Sequence, residues 1–390
     1  MGSRWFALAL IFITRTSMGF QFQSIGSVGP LLVAELGLTY AQLGTLIGLY
    51  LLPGVALSLV GGVIGQRLGD RRALVGSLAL MVVGGLLTAW SHGFVAAAAG
   101  RSLSGAGAVL MNILLVKVTA DWFAGREMAT AMALMLTAWP VGLGLAAATL
   151  GSVATRMSWR TSLVVAAATA ALGLVIMAMI FPEAPVRATP GARTALGARD
   201  VGLAITSGVA WGAFNASLVA VIAFGPAMLV ARGASLGQAG FEVSLAIWVT
   251  ILSVPLGGVL SDRIHRPDLF ILIGTAGAGA LLFALATMPG AALGLVLVGV
   301  LIGGPPGPIT SLLPRALPPE RLATGLGVSY TAYYLVMATV QPLAGWLRDV
   351  TGDPATPVRF AAATMVATIV ATAAFRVIER GATVAPAKEV

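Results

Sequence analysis

The chain has 390 residues, of which 58% are hydrophobic and only 9% charged, whereas soluble domains carry about 25% charged residues. That composition excludes a soluble globular domain and predicts a polytopic membrane protein whose surroundings are the lipid bilayer. The net charge of +9 comes with few aromatics and with arginines in short loops, which is the pattern of topology signals and not of a nucleic-acid surface, and the absence of cysteine removes disulfides, thiolate metal sites and thiol catalysis.

Twelve apolar runs, broken by charge, glycine and proline, fall at about 5–30, 40–64, 73–90, 94–117, 128–153, 160–181, 200–229, 237–260, 268–287, 290–313, 322–346 and 357–378. Most are about 20 residues or longer, enough at 1.5 Å per residue to cross ~30 Å of hydrocarbon. None alternates as a barrel strand does. The spans are predicted as α-helices, since open strands would leave backbone groups unsatisfied in lipid.

Span 1 carries Arg15 about 15 Å in, near the middle of the bilayer, where a lipid-facing arginine costs ~2.5 to 3.5 kcal/mol. Arg15 is therefore expected to face a watery path and hold polar cargo; the alternative is an arginine that ties helices together through carbonyls. Arg15, Gly19, Phe22, Gln23 and Gly26 share one face at the helical period, with Gln21 to the side. A cleaved signal peptide over residues 1–25 is disfavoured, because no A-x-A site follows the apolar run 5–14. Span 4 holds Arg101 and Asn112, the latter an amide that bridges helices or binds ligand. Span 5 contains Trp139-Pro140-Val141-Gly142-Leu143-Gly144 and span 10 contains GGPPGP at 303–308, and both are expected to break their helices. Span 7 places Trp211 and Asn215 one turn apart, and span 11 has Tyr330, Tyr334, Met337 and Gln341 as a stripe through its middle. These side chains are predicted to line a central cavity.

The two halves of the chain are copies. At a constant offset of 196 residues Gly29-Pro30 matches Gly225-Pro226, Gly37 matches Gly233, Gln42 matches Gln238, Gly44 matches Gly240 and Arg67 matches Arg263; a second block, Arg126 to Thr130, parallels Glu320 to Thr324 at offset 194. Six spans per copy is an even number, so the repeats are parallel about an axis along the membrane normal. The division is residues 1–181, a linker at 182–199 rich in proline, glycine and arginine, and residues 200–390. With the amino terminus inside, sixteen Lys and Arg lie in inward segments and five in outward ones, so both termini are expected to be cytoplasmic.

A 6 + 6 chain with G-x-x-x-D-R-x-x-R after spans 2 and 8 resembles the major facilitator superfamily over essentially its whole length. Gly258, Asp262, Arg263 and Arg266 fill the motif in the second copy; the first has Gly62, Gln66 and Arg67, with glutamine in place of the acid. Arg101, Leu103, Gly105 and Gly107 fit the family's R-x-L-x-G-x-G pattern in span 4. The resemblance implies an all-α membrane protein, twelve transmembrane helices around a central cavity, which moves a small molecule by rocker-switch alternating access. It also implies a monomer in the cytoplasmic (inner) membrane, with no cofactor and with a coupled proton as an open possibility. In the family the loop motif latches the halves on the cytoplasmic side, which makes Gln66, Arg67, Arg101, Asp262, Arg263 and Arg266 the gating candidates, with the segments 126–127 and 320–321 as partners across the interface. An acid can also latch onto a helix N-terminus, whose partial positive charge favours it. Spans 1 and 4 are similar to the branch containing cyanate and nitroimidazole transporters.

Of fourteen Asp and Glu, only Glu242 is expected inside a span, near its outer end. A mid-membrane acid of the kind that cycles protons or neutralises cations is missing. The reading is a secondary transporter of a small anionic solute whose site is Arg15, Gln23, Asn112, Trp211, Asn215, Tyr330, Tyr334 and Gln341. The competing reading is a multidrug or hydrophobic-compound exporter, which has no need of Arg15. An enzyme is not expected: no metal or nucleophile set is present, and His92 and His265 fall at opposite faces.

Overall fold

The computed structural model describes residues 2–124, 127–181, 195–288 and 290–380, which are helical with no strand among them. Span 1 is Gly2–Leu36, span 2 is Tyr40–Leu49 with Gly54–Leu68, span 3 is Asp70–Ala89, span 4 is Phe94–Phe123 and span 5 is Met128–Arg156. Span 6 is Trp159–Val175 continued by the π turn Ile176–Ile180, and span 7 is Ala198–Ala231. Span 8 is Leu236–Ile264, span 9 is Pro267–Leu285, and span 10 is Ala291–Leu301 with Pro306–Ala316. Span 11 is Pro319–Thr351 and span 12 is Thr356–Arg380. Eleven spans are long and apolar enough to cross a membrane. Pro319–Thr351 is the long helix outside that set, because Tyr330, Tyr333, Tyr334 and Gln341 lower its hydropathy. Most of the expected linker, 182–194, lies outside the described residues.

The repeat is legible in local geometry. Gly37 and Gly233 both take positive φ, 63° and 95°, a conformation that glycine adopts without a Cβ clash. Two residues on, Thr39 and Ser235 cap spans 2 and 8 by accepting from the amides of Gln42 and Gln238. Gln42 completes a capping box by accepting from the Thr39 amide at 3.0 Å, whereas Gln238 donates to Glu242 at 2.9 Å.

Span 10 breaks between Leu301 and Pro306, as the run of glycine and proline dictates. Span 5 does not break: its helix runs unbroken through Pro140. Gly142 and Gly144 there let neighbouring helices come close, Gly142 against the Thr16 carbonyl and Gly144 against the Trp248 ring. The unbroken helix keeps both contacts. An unanticipated break falls in span 2, between Leu49 and Gly54, where the Leu51 and Leu52 amides both reach the Gly48 carbonyl and Pro53 has no amide to donate.

Span 1 lies against spans 5 and 6, span 3 against span 4, and span 7 against spans 11 and 12. Between the first six spans and the last six, span 2 meets span 11 and span 5 meets span 8. Both seams use glycine at equivalent positions. A Cβ on Gly44 would strike the Gln341 carbonyl and one on Gly345 the Tyr40 carbonyl; across the other seam Gly240 abuts the Ala147 carbonyl and Gly151 the Leu236 carbonyl. The repeat of sequence is thus a repeat of interface.

Candidate functional site

Arg15 sits in the long first helix and is 6% exposed. Its Nη1 donates only to the thioether of Met135 in span 5, at 2.9 Å, and its Nε is buried with no partner. Among the described residues no carboxylate pairs with it. The ionisable groups within electrostatic range are the phenols of Tyr334, Tyr330 and Tyr333, all on span 11. A buried guanidinium with a thioether for company is far from compensated, since an unpaired buried charge costs several kcal/mol in order of magnitude.

Aromatic rings cluster in both sets of spans. Trp139, one turn beyond Met135, packs on Phe22 at 5.3 Å, and Phe22 lies 5.6 Å from Tyr50. From the other side Trp211 stacks on Phe214 at 5.8 Å and on Tyr333 at 6.4 Å. Tyr333 and Tyr334 are edge to face at 4.9 Å, and Tyr330 is 45% exposed in the midst of its span. Asn112 of span 4 is within side-chain hydrogen-bonding range of Tyr334, while its Oδ1 is buried and unpartnered. Arg15, Asn112, Tyr330 and Tyr334 are therefore brought together with Trp211 close behind them.

The other predicted ligands are placed differently. Gln23 donates to the Ile222 carbonyl at 2.8 Å, bridging spans 1 and 7, and is 1% exposed. Gln341 donates to the Ala216 carbonyl at 3.0 Å and is fully buried, with its Oε1 orphaned. Asn215 donates to the Trp211 carbonyl of its own helix at 2.9 Å. These three amide donors are committed to main chain, so they join helices or close a local turn.

Arg101 uses all three guanidinium nitrogens on carbonyls: Nε on Leu46 at 3.1 Å, Nη1 on Gln21 at 3.1 Å and Nη2 on Phe22 at 3.3 Å, with the Tyr50 ring beneath it at 4.4 Å. It clamps spans 1, 2 and 4 and is 2% exposed, which leaves it remote from any loop latch. At the face bearing the chain ends, Asp262 lies 3.8 Å from Arg315 of span 10, with both side chains largely exposed. Arg67 is exposed, as are Arg263 and Arg266, and the Gln66 side chain lies outside the described residues. Glu127 pairs with Arg4 at 2.9 Å and Arg321 with Asp200 at 2.9 Å, each within its own set of six spans; Arg126 lies outside the described residues.

At the opposite face the contact between the two sets is strong. Asp349, near the end of span 11, accepts from the Tyr40 amide with Oδ1 and from the Ala41 amide with Oδ2, both at 2.8 Å. A carboxylate thus sits on the N-terminus of span 2, where two free amides and the helix dipole favour it. Arg348 lies over the Tyr40 ring at 3.4 Å. The hydrogen bonds between the sets run from there through Gln23 to Ser58 and Thr331, 3.0 Å apart. At the terminal face the ion pairs Glu127 with Arg4, Asp262 with Arg315 and Arg321 with Asp200 each stay within one set of six spans.

Sequence reasoning missed Asp349, Tyr333 and Met135. Asp349 is 309 residues away from the helix start that it caps. Tyr333 falls off the strict stripe of span 11, and methionine carries no polar signal. More acids lie within helices than expected, including Glu35, Asp121, Asp200 and Asp349, yet none is near mid-span. A separate concavity of about 460 Å³ between spans 9 and 12 is lined by Thr275, Phe283 and Arg359 among small apolar residues. Its one charge, Arg359, is already paired with Asp353 at 2.6 Å.

A family model described as Major Facilitator Superfamily matches residues 11–339. The chain is 28% identical over 356 residues to the 3-(3-hydroxy-phenyl)propionate transporter of Escherichia coli (strain K12), covering 87% of this chain and 85% of that one. It is 26% identical over 377 residues to the uncharacterized transporter YycB of Bacillus subtilis (strain 168), covering 91% and 89%. Among solved structures, a bacterial homolog of the human lysosomal transporter Spinster superposes with a TM-score of 0.76 at 17% identity, over 97% of both chains. A D-xylose-proton symporter superposes with a TM-score of 0.73 at 18% identity, over 93% of this chain and 97% of that one.

Proposed function

We propose that this chain, which belongs to the Major Facilitator Superfamily and is a membrane transporter and not an enzyme, carries a small anionic solute by alternating access. The observation that carries the reading is Arg15: a guanidinium in the middle of the membrane, 6% exposed, with no carboxylate and an orphaned Nε. Such a group is stabilised by an anion that accepts from its planar fork. The phenols of Tyr330 and Tyr334 and the amide of Asn112 supply further donors. The relative from Escherichia coli, by its name, moves a substituted propionate, which carries a carboxylate at neutral pH. A cation exporter would need a mid-membrane acid, and the described helices hold their acids near the ends.

The seams support alternating access. The two sets of six spans act as bodies, residues 1–181 and 200–390, that rock about the site. With both termini cytoplasmic, the face closed by Asp349 and the seam glycines is the outer one, and the opposite face is the inner one. In the outward-open state Asp262 and its neighbours Arg263 and Arg266 close the cytoplasmic side, while the exposed 3.8 Å pair of Asp262 with Arg315 is its resting contact here.

Reconstituted protein in proteoliposomes tests the reading by uptake of radiolabelled small carboxylates and inorganic anions alongside a lipophilic cation, ethidium. Accumulation or counterflow of an anion without ethidium transport is expected. Ethidium transport with no anion transport would establish the exporter instead.

A further inference from the structure

We propose that the protein is an obligate anion exchanger: its site crosses the membrane only with an anion on Arg15, so that one anion leaves for each that enters and no proton travels with either. This rests on the anion reading of Arg15. Arg101 shows what a buried arginine looks like when it needs no cargo, for its Nε, Nη1 and Nη2 all donate to carbonyls, those of Leu46, Gln21 and Phe22. Arg15 is 6% exposed, yet its Nη1 donates to the Met135 thioether, a weak acceptor, and its Nε is buried with no partner. A guanidinium does not shed its charge by losing a proton at neutral pH. Without cargo the charge is therefore uncompensated, and the form closed at both faces, through which every reorientation passes, strips it of its remaining water. An anion on the planar fork removes that penalty. The loaded protein consequently reorients faster than the unloaded one, and a carrier that does not return unloaded moves cargo by exchange alone.

The titratable groups argue against a proton as the coupling ion. Symport of an anion with a proton needs a group near the site that takes up the proton at one face and releases it at the other, or an acid that neutralises Arg15 once the cargo has left. Among the described residues the acids within spans, such as Glu35, Asp121, Asp200 and Asp349, lie close to helix ends. Glu242 is near the start of span 8, where Gln238 donates to it at 2.9 Å. His92 and His265 lie in the turns after spans 3 and 8. The ionisable side chains in electrostatic range of Arg15 are Tyr330, Tyr333 and Tyr334, and phenols keep their protons at neutral pH. Exchange of one anion for another of the same charge needs none of these groups and moves no net charge.

The test uses the full-length protein in proteoliposomes, with radiolabelled pyruvate, 3-phenylpropionate and phosphate as probes and the leak through protein-free vesicles subtracted. Uptake of a transported probe into vesicles loaded with the same unlabelled anion is expected to exceed uptake into unloaded vesicles at least about tenfold. A pH gradient, inside alkaline, should drive no uptake into unloaded vesicles, and a valinomycin-imposed potential should leave the exchange rate within about twofold. Uptake into unloaded vesicles as fast as exchange, or uptake driven there by the pH gradient, overturns exchange while the anion reading stands; no uptake of any probe under either loading overturns both. A second measurement needs no cargo. Dyes on His92→Cys and Thr287→Cys, exposed turns after spans 3 and 9, report the separation of the two sets of spans by single-molecule energy transfer in nanodiscs. Arg15→Met removes the charge and keeps an unbranched side chain, and without added anion it should switch at least about tenfold faster than the protein with Arg15. Equal switching rates overturn exchange whatever the probes do.

Discussion

Two buried arginines of the first six spans show how much a residue's role depends on what its nitrogens touch. Arg101 satisfies main-chain carbonyls of spans 1 and 2 and covers the Tyr50 ring, so Arg101→Ala leaves three acceptors without their donor, at roughly 1 to 3 kcal/mol for each buried group. Arg15 satisfies a thioether. Removing it relieves a buried charge that the empty protein does not compensate. Thermal melts in detergent are therefore expected to move in opposite directions: Arg101→Ala lowers the transition of the ligand-free protein by several degrees or prevents its isolation, and Arg15→Ala leaves it unchanged or raises it. A lower transition for Arg15→Ala would mean that Arg15, too, is structural. Sequence singled out both arginines through depth in an apolar run. It gave Arg15 to the cargo and Arg101 to the gate and did not reveal the clamp, because the carbonyls that Arg101 binds are main chain and have no residue signature.

Among the elements, span 11 does the most. Its polarity keeps it outside the set of clearly apolar spans, and that same polarity places Tyr330, Tyr333 and Tyr334 beside Arg15 and Asp349 on the N-terminus of span 2. The symmetric seam of spans 5 and 8 has glycine contacts but Thr155 where Asp349 would be, so the charged clasp exists on one side only. Asp349→Asn retains hydrogen-bond acceptance at one oxygen and loses the charge on the helix terminus, worth about 0.5 to 2 kcal/mol. Labelling rates at single cysteines, introduced into a chain that has none, should rise about two- to thirtyfold at outer positions of the seam in this variant. The corresponding change Thr155→Ala should do little. Equal rates in wild type and Asp349→Asn would remove the clasp from the gating account.

The turn that follows span 11 has its own pH signature. Asp353 lies outside the spans and accepts from the Ala355 amide at 2.9 Å and from Arg359 at 2.6 Å. The amide above all, helped by the Arg359 charge, holds its carboxyl below the usual 3.8. A depressed folded-state value means that its contribution is complete above the unfolded-state value and fades as pH falls through the lowered one. Any influence of this turn on stability should thus be flat across neutral pH, and Asp353→Asn should differ from wild type by the same small margin at pH 6 and pH 8, read from melting temperatures.

On the scale of the whole molecule, the fold was legible in the sequence because its evidence is periodic and repeated. Apolar runs gave the spans, and one offset of 196 residues paired Gly37 with Gly233 and Gln42 with Gln238, which the structure places in matching turns and matching helix starts. The site was legible only in part. Mid-membrane depth marks Arg15, Tyr330 and Tyr334, but depth does not distinguish a side chain that meets cargo from one that ties two helices, and Gln23, Asn215 and Gln341 all donate to main chain. The break in span 5 was misjudged for a related reason: Pro140 removes one hydrogen bond, while the glycines beside it serve contacts with spans 1 and 8 that a sequence does not display.

The alternating-access account places the cargo where both halves touch it, at a charge from span 1 and rings from spans 7 and 11, so that binding biases closure. Counterflow in proteoliposomes measures this most directly, with the best-transported anion of the panel as the tracer and Arg15 as the single variable. The account predicts no anion counterflow by Arg15→Ala, and a half-saturation concentration raised roughly 10- to 100-fold in Arg15→Lys, which keeps the charge but loses the planar fork. Counterflow by Arg15→Ala within twofold of the wild-type rate, at the same half-saturation concentration, would contradict it.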